Sequence, residues 1–223
     1  MLNKLTCREL WQVPEGSVAY GMITEYTYPW EVVPNIKKII LEIGATLGEG
    51  YKKIGEDIWI SESAKVSDSA EIHGPAIIMD GAEVRHSAFI RGSALIGRGA
   101  VLGNSCEVKN AILFDLVQVP HFNYVGDSIL GYRAHTGAGA ITSNVKSDKT
   151  PVTVSLNGYR IETGLKKLGA LLGDYVEVGC NSVMNPGTVI GRHTNVYPLS
   201  SVRGYIPENS IFKSQDNIVT KKI

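Results

Sequence analysis

Branched apolar residues recur at every sixth position: Ile60, Val66, Ile72, Ile78, Val84, Ile90, Ile96, Leu102 and Val108. Small residues keep the same period at Ala64, Ala70, Ala76, Ala82, Ala88, Ala94, Ala100 and Cys106. A repeat of this kind decides the architecture before any local propensity does. A period of six fits neither a 3.6-residue helix nor a simple hairpin meander. It fits short flat strands joined by tight corners, three strands closing one triangular coil. The branched residue points inward, the small residue lets the chain turn, and the residues between face outward. Stacked coils bury a continuous interior that no single repeat could bury.

The register returns at Leu172, Val178, Met184, Ile190, Val196 and Val202, and Leu130 and Thr136 share its phase. One shift of phase is therefore expected within 112–123, near His121. An excursion is expected between about 144 and 171. Allowing for it, the chain should make about seven coils. The solenoid is assigned to 58–206 and a C-terminal tail to 207–223. Twenty-four glycines against four phenylalanines suit a molecule made of tight corners.

Residues 1–57 do not repeat. Ile36, Ile39, Ile40, Ile43 and Leu47 form one helical stripe, with Pro34 able to open the helix and Gly48 or Gly50 to close it. This region is expected to cap the open first coil, whose strand edges would otherwise be unpaired. Inside the excursion, two β-prone runs flank Asn157-Gly158, a two-residue hairpin signal. A hairpin projecting from the stack is expected, in a stretch whose basic residues exceed its acidic ones.

Lys+Arg and Asp+Glu are 22 each, so the chain has no global basic field for nucleic acid or an anionic membrane. Three separated cysteines argue against a disulfide framework and a structural zinc site. No apolar run is long enough to span a bilayer, and the opening residues lack the pattern of a signal peptide. A soluble cytoplasmic protein is the expectation.

Chemistry concentrates in 90–144. His121 in VPHFNYVGD carries an imidazole that titrates near neutrality, as a general base requires. Arg91 and Lys109 are one coil apart and should stack, as a phosphate receptor or as two separate solvated charges. The small residues of GAGAITSN permit close backbone approach, and free N–H groups there could hold an oxyanion.

These segments, IRGSALIGRGAVLGNSCEVKNA, HFNYVGDSILG and HTGAGAITSN, resemble the hexapeptide acyltransferases. The closest likeness is to the acetyltransferase half of the bifunctional N-acetylglucosamine-1-phosphate uridylyltransferase/glucosamine-1-phosphate acetyltransferase family. The resemblance implies a left-handed parallel β-helix and an active site shared between subunits of a homotrimer. It implies His121 as the base that deprotonates a sugar amine, and Arg91 and Lys109 as the cations that hold the sugar phosphate. Tyr124 and Asn144 match residues that position the amino sugar. Ala138, Cys180 and Lys213 fall at acetyl-CoA contacts. His135 stands where the family has an Asn, and Lys149 only approximates a family Lys.

The resemblance thus implies an acetyl-CoA-dependent N-acetyltransferase acting on an amino-sugar phosphate, with no metal required. Nucleotidyltransferase activity is not expected from this chain, since 57 residues cannot hold that domain. The alternatives are an acyltransferase with another acceptor, such as a nucleotide sugar or a hydroxyl, and a non-catalytic binding or assembly protein. A zinc hydratase would need converging histidines, and His73, His86, His121, His135 and His193 have no pair at short ligand spacing.

Overall fold

A computed structural model describes residues 2–12 and 16–222. The remaining positions of the expected N-terminal cap and tail (1, 13–15 and 223) lie outside the described residues. Parallel strands stack into a three-sided β-solenoid. Face A runs from Ile58–Ser61 to Tyr205–Ile206, face B from Lys65–Val66 to Ser210–Ser214, and face C from Glu71–Ile72 to Ser201–Val202. Faces A and B hold eight parallel strands each and face C seven, so seven coils are complete and an eighth has two sides. The pairing continues beyond residue 206 through Ser210–Ser214, which lies parallel to Asn195–Val196. The first strand of face A and the last strand of face B are covered by antiparallel partners, Tyr51–Ile54 and Asn217–Thr220, which leave no flat parallel edge open there.

The interior is the column set read from the repeat. Ile78, Ile96, Leu113, Leu130, Leu172 and Ile190 are fully buried one above another behind face A. Each such side chain contributes about 1.5–3 kcal/mol relative to exposure. The corners take left-handed backbone at six-residue intervals, at Gly81, Ser87, Ser93, Gly99 and Ser105. The next corners are Asn110, Leu116, Phe122, Asp127 and Arg133. Two sides, 105–110 and 122–127, are therefore one residue short. This corrects the expected single shift near His121: two one-residue losses give the same net change of phase, and His121 lies on the regular side between them. Asn and Asp tolerate left-handed backbone better than most residues, which suits them to positions 110 and 127.

Gly126, on a shortened side, donates its N–H to the Thr142 hydroxyl at 2.9 Å, and the buried Ser128 hydroxyl donates to the Gly126 carbonyl at 2.7 Å. Buried polar groups thus satisfy one another where the ladder is interrupted.

Face A is buried on both sides, because Trp59, Ile77, Leu95, Ile112, Ile129 and Leu171 point outward from it and are covered. The cover is the N-terminal region. Several short helical segments precede the helix Ile36–Thr46, which buries Ile36, Ile39, Ile40 and Ile43. The region does not simply close the first coil, as the sequence suggested, but lies along face A. Gly44 sits against Trp59 near one end, while Trp11 donates its indole N–H to the Leu172 carbonyl at 2.8 Å toward the other. Apolar outward residues, which a polar-outside reading overlooks, demanded a lateral partner.

The excursion contains the expected hairpin, Thr153–Leu156 with Tyr159–Glu162. It does not project. Val152, Val154 and Leu156 are buried, and Gly187 and Gly204 allow the strand backbone to lie directly on the stack. Among the described residues no helix is long and apolar enough to cross a membrane.

Candidate active site

The corner where face C turns into face A gathers chemically active side chains from successive coils. Arg91, Lys109, Gly126 and Ser143 occupy successive coils in one outward column. Arg91 donates to the Glu107 carboxylate at 2.6 Å, and the Lys109 ammonium lies 4.0 Å from Asp127. Both cations thus have acidic neighbours. Arg91 is nearly half exposed and commits one nitrogen to Glu107, so other donors of its fork remain for an anion. Gly126 has no side chain, and the Tyr124 phenol fills its place, 2.3 Å from where a Cβ would stand. Asn144 donates to the Tyr124 oxygen at 3.2 Å and to Asp127 at 2.5 Å. Asp127 also accepts from Asn110 at 2.8 Å. Burial, and then the charge of Asp127, raise the Tyr124 pKa, so its phenol stays protonated at neutral pH.

The opposite corner of the same face, where B turns into C, carries His121. Its imidazole is exposed and makes no hydrogen bond among the described residues, while its carbonyl accepts from Gly139 N–H at 3.0 Å. Buried Asn123 fixes this segment, accepting from His121 N–H at 3.1 Å and donating to the Gly137 carbonyl at 2.8 Å. Ala138 is therefore set beside His121 on the next coil. In HTGAGAITSN most N–H groups are occupied: Gly137, Gly139, Ala140, Ile141 and Ser143 all donate to carbonyls. The expectation of several free donors is thus reduced to two, since only the Ala138 and Asn144 N–H groups have no acceptor among the described residues, and of these Ala138 is the one beside His121. Cys180 is exposed and stacks beyond Gly137, and Lys213 reaches to 5.9 Å from the Tyr197 ring further along the edge. The two corners are close, since Tyr124 follows His121 by three residues, no more than about 10 Å of extended chain.

Two predicted residues lie apart from these corners within the chain. His135 is on face B, hydrogen-bonded to Glu177 at 2.8 Å in a cleft of about 510 Å³ that also includes Gln118, Arg133 and Tyr175. Lys149 is exposed in the loop that starts the excursion, where it shows no side-chain partner among the described residues. Asp127 was overlooked in the sequence, although 110, 127 and 144 are evenly spaced and hold Asn, Asp and Asn. Among the described residues no group of three His, Cys, Asp or Glu is placed to hold a metal ion.

A family model described as "GMPPB C-terminal domain" matches residues 72–206. The chain is 36% identical over 109 residues to a bifunctional sugar-1-phosphate nucleotidylyltransferase/acetyltransferase of Sulfurisphaera tokodaii, covering 49% of this chain and 27% of that protein. It is 35% identical over 120 residues to the bifunctional protein GlmU of Methanococcus maripaludis, covering 53% and 29%. The match thus spans less than a third of either relative. A hexapeptide transferase family protein from Anaplasma phagocytophilum superimposes with a TM-score of 0.42 at 13% identity, over 74% of this chain and 78% of that one.

Proposed function

The chain belongs to the family described as the GMPPB C-terminal domain, among the hexapeptide-repeat proteins, and from that premise we propose that it transfers an acetyl group from acetyl-CoA to the amine of a sugar phosphate. The observation that carries this reading is the pairing of an exposed imidazole at His121 with the N–H of Ala138 on the adjacent coil, which has no acceptor among the described residues. A base and an oxyanion donor, side by side, are what acyl transfer from a thioester requires.

In the proposed reaction, neutral His121 takes a proton as the amine nitrogen attacks the thioester carbonyl carbon. The oxygen gains negative charge in the tetrahedral intermediate and receives the Ala138 N–H. The carbon–sulfur bond then breaks, and the imidazolium returns its proton to the departing CoA thiolate. Cys180 and Lys213 lie along the same edge, where the long arm of CoA would run toward a cation suited to its phosphates. Arg91 and Lys109 hold the acceptor's phosphate, and Tyr124 and Asn144 its sugar. His135 and Lys149 join this site from a neighbouring subunit of a homotrimer.

The test is release of free CoA thiol from acetyl-CoA, measured over a panel of amino sugars with and without a 1-phosphate. Turnover with a phosphorylated amino sugar is expected. His121→Ala should lower kcat by about 10²-fold or more. Unchanged turnover would remove His121 from the role of base, and no turnover with any amine would favour a binding role.

A further inference from the structure

Asp127 is the one carboxylate at the acceptor corner that is almost fully buried, at 4% exposure, and it stands on left-handed backbone. Three donors face it: the amides of Asn110 and Asn144 and the ammonium of Lys109. No acceptor faces it among the described residues. A carboxylate accepts and does not donate. The Asn144 atom 2.5 Å from it must therefore be the nitrogen, and the ambiguity of an amide's two ends is resolved by its neighbour.

The second N–H of that nitrogen goes to the Tyr124 oxygen. Both amide hydrogens are then used inside the protein. The Asn144 side-chain oxygen accepts nothing among the described residues, and it is not among the buried polar atoms left without a partner, so it remains reachable from solvent. The Tyr124 phenol, accepting from Asn144, keeps its own proton to give.

We propose that Asp127 is a positioning residue that locks the Asn144 amide with its oxygen outward, so that the acceptor site offers a hydrogen-bond acceptor at Asn144 beside a donor at Tyr124. The acceptor is then selected for an N–H or O–H group placed opposite Asn144, next to an oxygen that can receive the phenol proton. A free amine beside a ring hydroxyl has this pattern. The inference rests on the amino-sugar reading above and gives that site its polarity. Asn110 extends the device, since its amide donates both to Asp127 and to the Val33 carbonyl at 3.3 Å in the cover of face A.

The test uses the full chain in two arms. In the first, the side-chain amide signal of Asn144 is followed by NMR on ¹⁵N-labelled protein and assigned by its loss in Asn144→Asp. Asp127→Asn is expected to move that signal, because an amide at 127 can donate to Asn144 and turn it over. An unmoved signal overturns the proposal whether or not any acetyl transfer is found.

In the second arm, kcat/KM is measured for the phosphorylated amino sugar. Asp127→Asn should lose about tenfold or more, as expected when one hydrogen bond at a site is reversed. Asn144→Asp alone sets two carboxylates face to face and should lose at least as much. The double variant D127N/N144D restores a donor inside and an acceptor outside, with the same net charge. It should recover part of the activity that N144D loses, because the contact with position 127 returns while the N–H given to Tyr124 stays lost, and a merely structural role would produce no such rescue. A double variant no better than N144D overturns the proposal, as does full activity in D127N. Absence of turnover in the wild type, with the amide signal responding to D127N, would refute the transfer reading and leave the polarity of the site in place.

Discussion

Gly126 shows how much of the candidate site depends on a missing side chain. In its column Arg91 and Lys109 carry long cations, and at 126 the phenol of Tyr124 lies where a methyl group would be. Alanine is permitted by the backbone there, so Gly126→Ala should fold normally, with a melting temperature close to the wild type. The methyl group would push the phenol off Asn144, since the ring tip is the part able to move. A fall of about tenfold in kcat/KM for the amino-sugar phosphate is expected, the size of one lost hydrogen bond. Unchanged kinetics would show that the phenol position does not matter. Spacing brought Arg91 and Lys109 together, and the family resemblance pointed to Tyr124 and Asn144. Neither pointed to Asp127, because a carboxylate inside a corner looks in sequence like any polar turn residue. Only the even interval shared with Asn110 and Asn144 marked it.

The helix Ile36–Thr46 packs tightly on face A at Gly44, where a Cβ would stand 2.6 Å from the Trp59 ring. Two effects compete in Gly44→Ala. Alanine favours a helix over glycine by about 1 kcal/mol. Overpacking against a large ring held between helix and sheet costs about 1–3 kcal/mol, and Trp59 is only 8% exposed, with no space to swing away. The clash should win, and thermal melting should fall by several degrees; a raised melting temperature would show that the ring yields. The helix itself was legible from its stripe of isoleucines. Its destination was not, because the inward columns repeat at every side while the outward apolar signal repeats only once per coil. Trp59, Ile77, Leu95, Ile112 and Leu171 sit mid-strand in runs such as Ile58-Trp59-Ile60 and Ala170-Leu171-Leu172. Those runs marked a sheet covered on both faces. The two shortened sides were blurred for a similar reason, since the apolar marks record net phase and the corners record each loss.

For the whole molecule, Asp174 links the cover to the stack, accepting Gln12 N–H at 2.6 Å and Tyr132 N–H at 2.8 Å. Burial pushes its carboxyl up to about 6 from 3.8, and the two backbone donors and Arg192 offset only part of that. Between about pH 4 and 6 the folded protein therefore holds a proton that the unfolded chain has released. This group's contribution to stability is greatest below that window and falls as pH rises through it. The difference is on the order of 2–3 kcal/mol. Melting curves of wild type and Asp174→Asn should thus diverge in favour of the wild type as pH is lowered from 7 to 4.5, and parallel curves would contradict the shift.

The N-terminal region has a mechanical consequence as well. In a plain stack each coil touches its neighbours alone, so ends can peel one rung at a time. Here a single run of chain is fastened at Trp59 near the start and at Leu172 and Asp174 toward the finish. It acts as a splint. Distant rungs share its fate, and the molecule should lose its structure in one event instead of fraying from a free end.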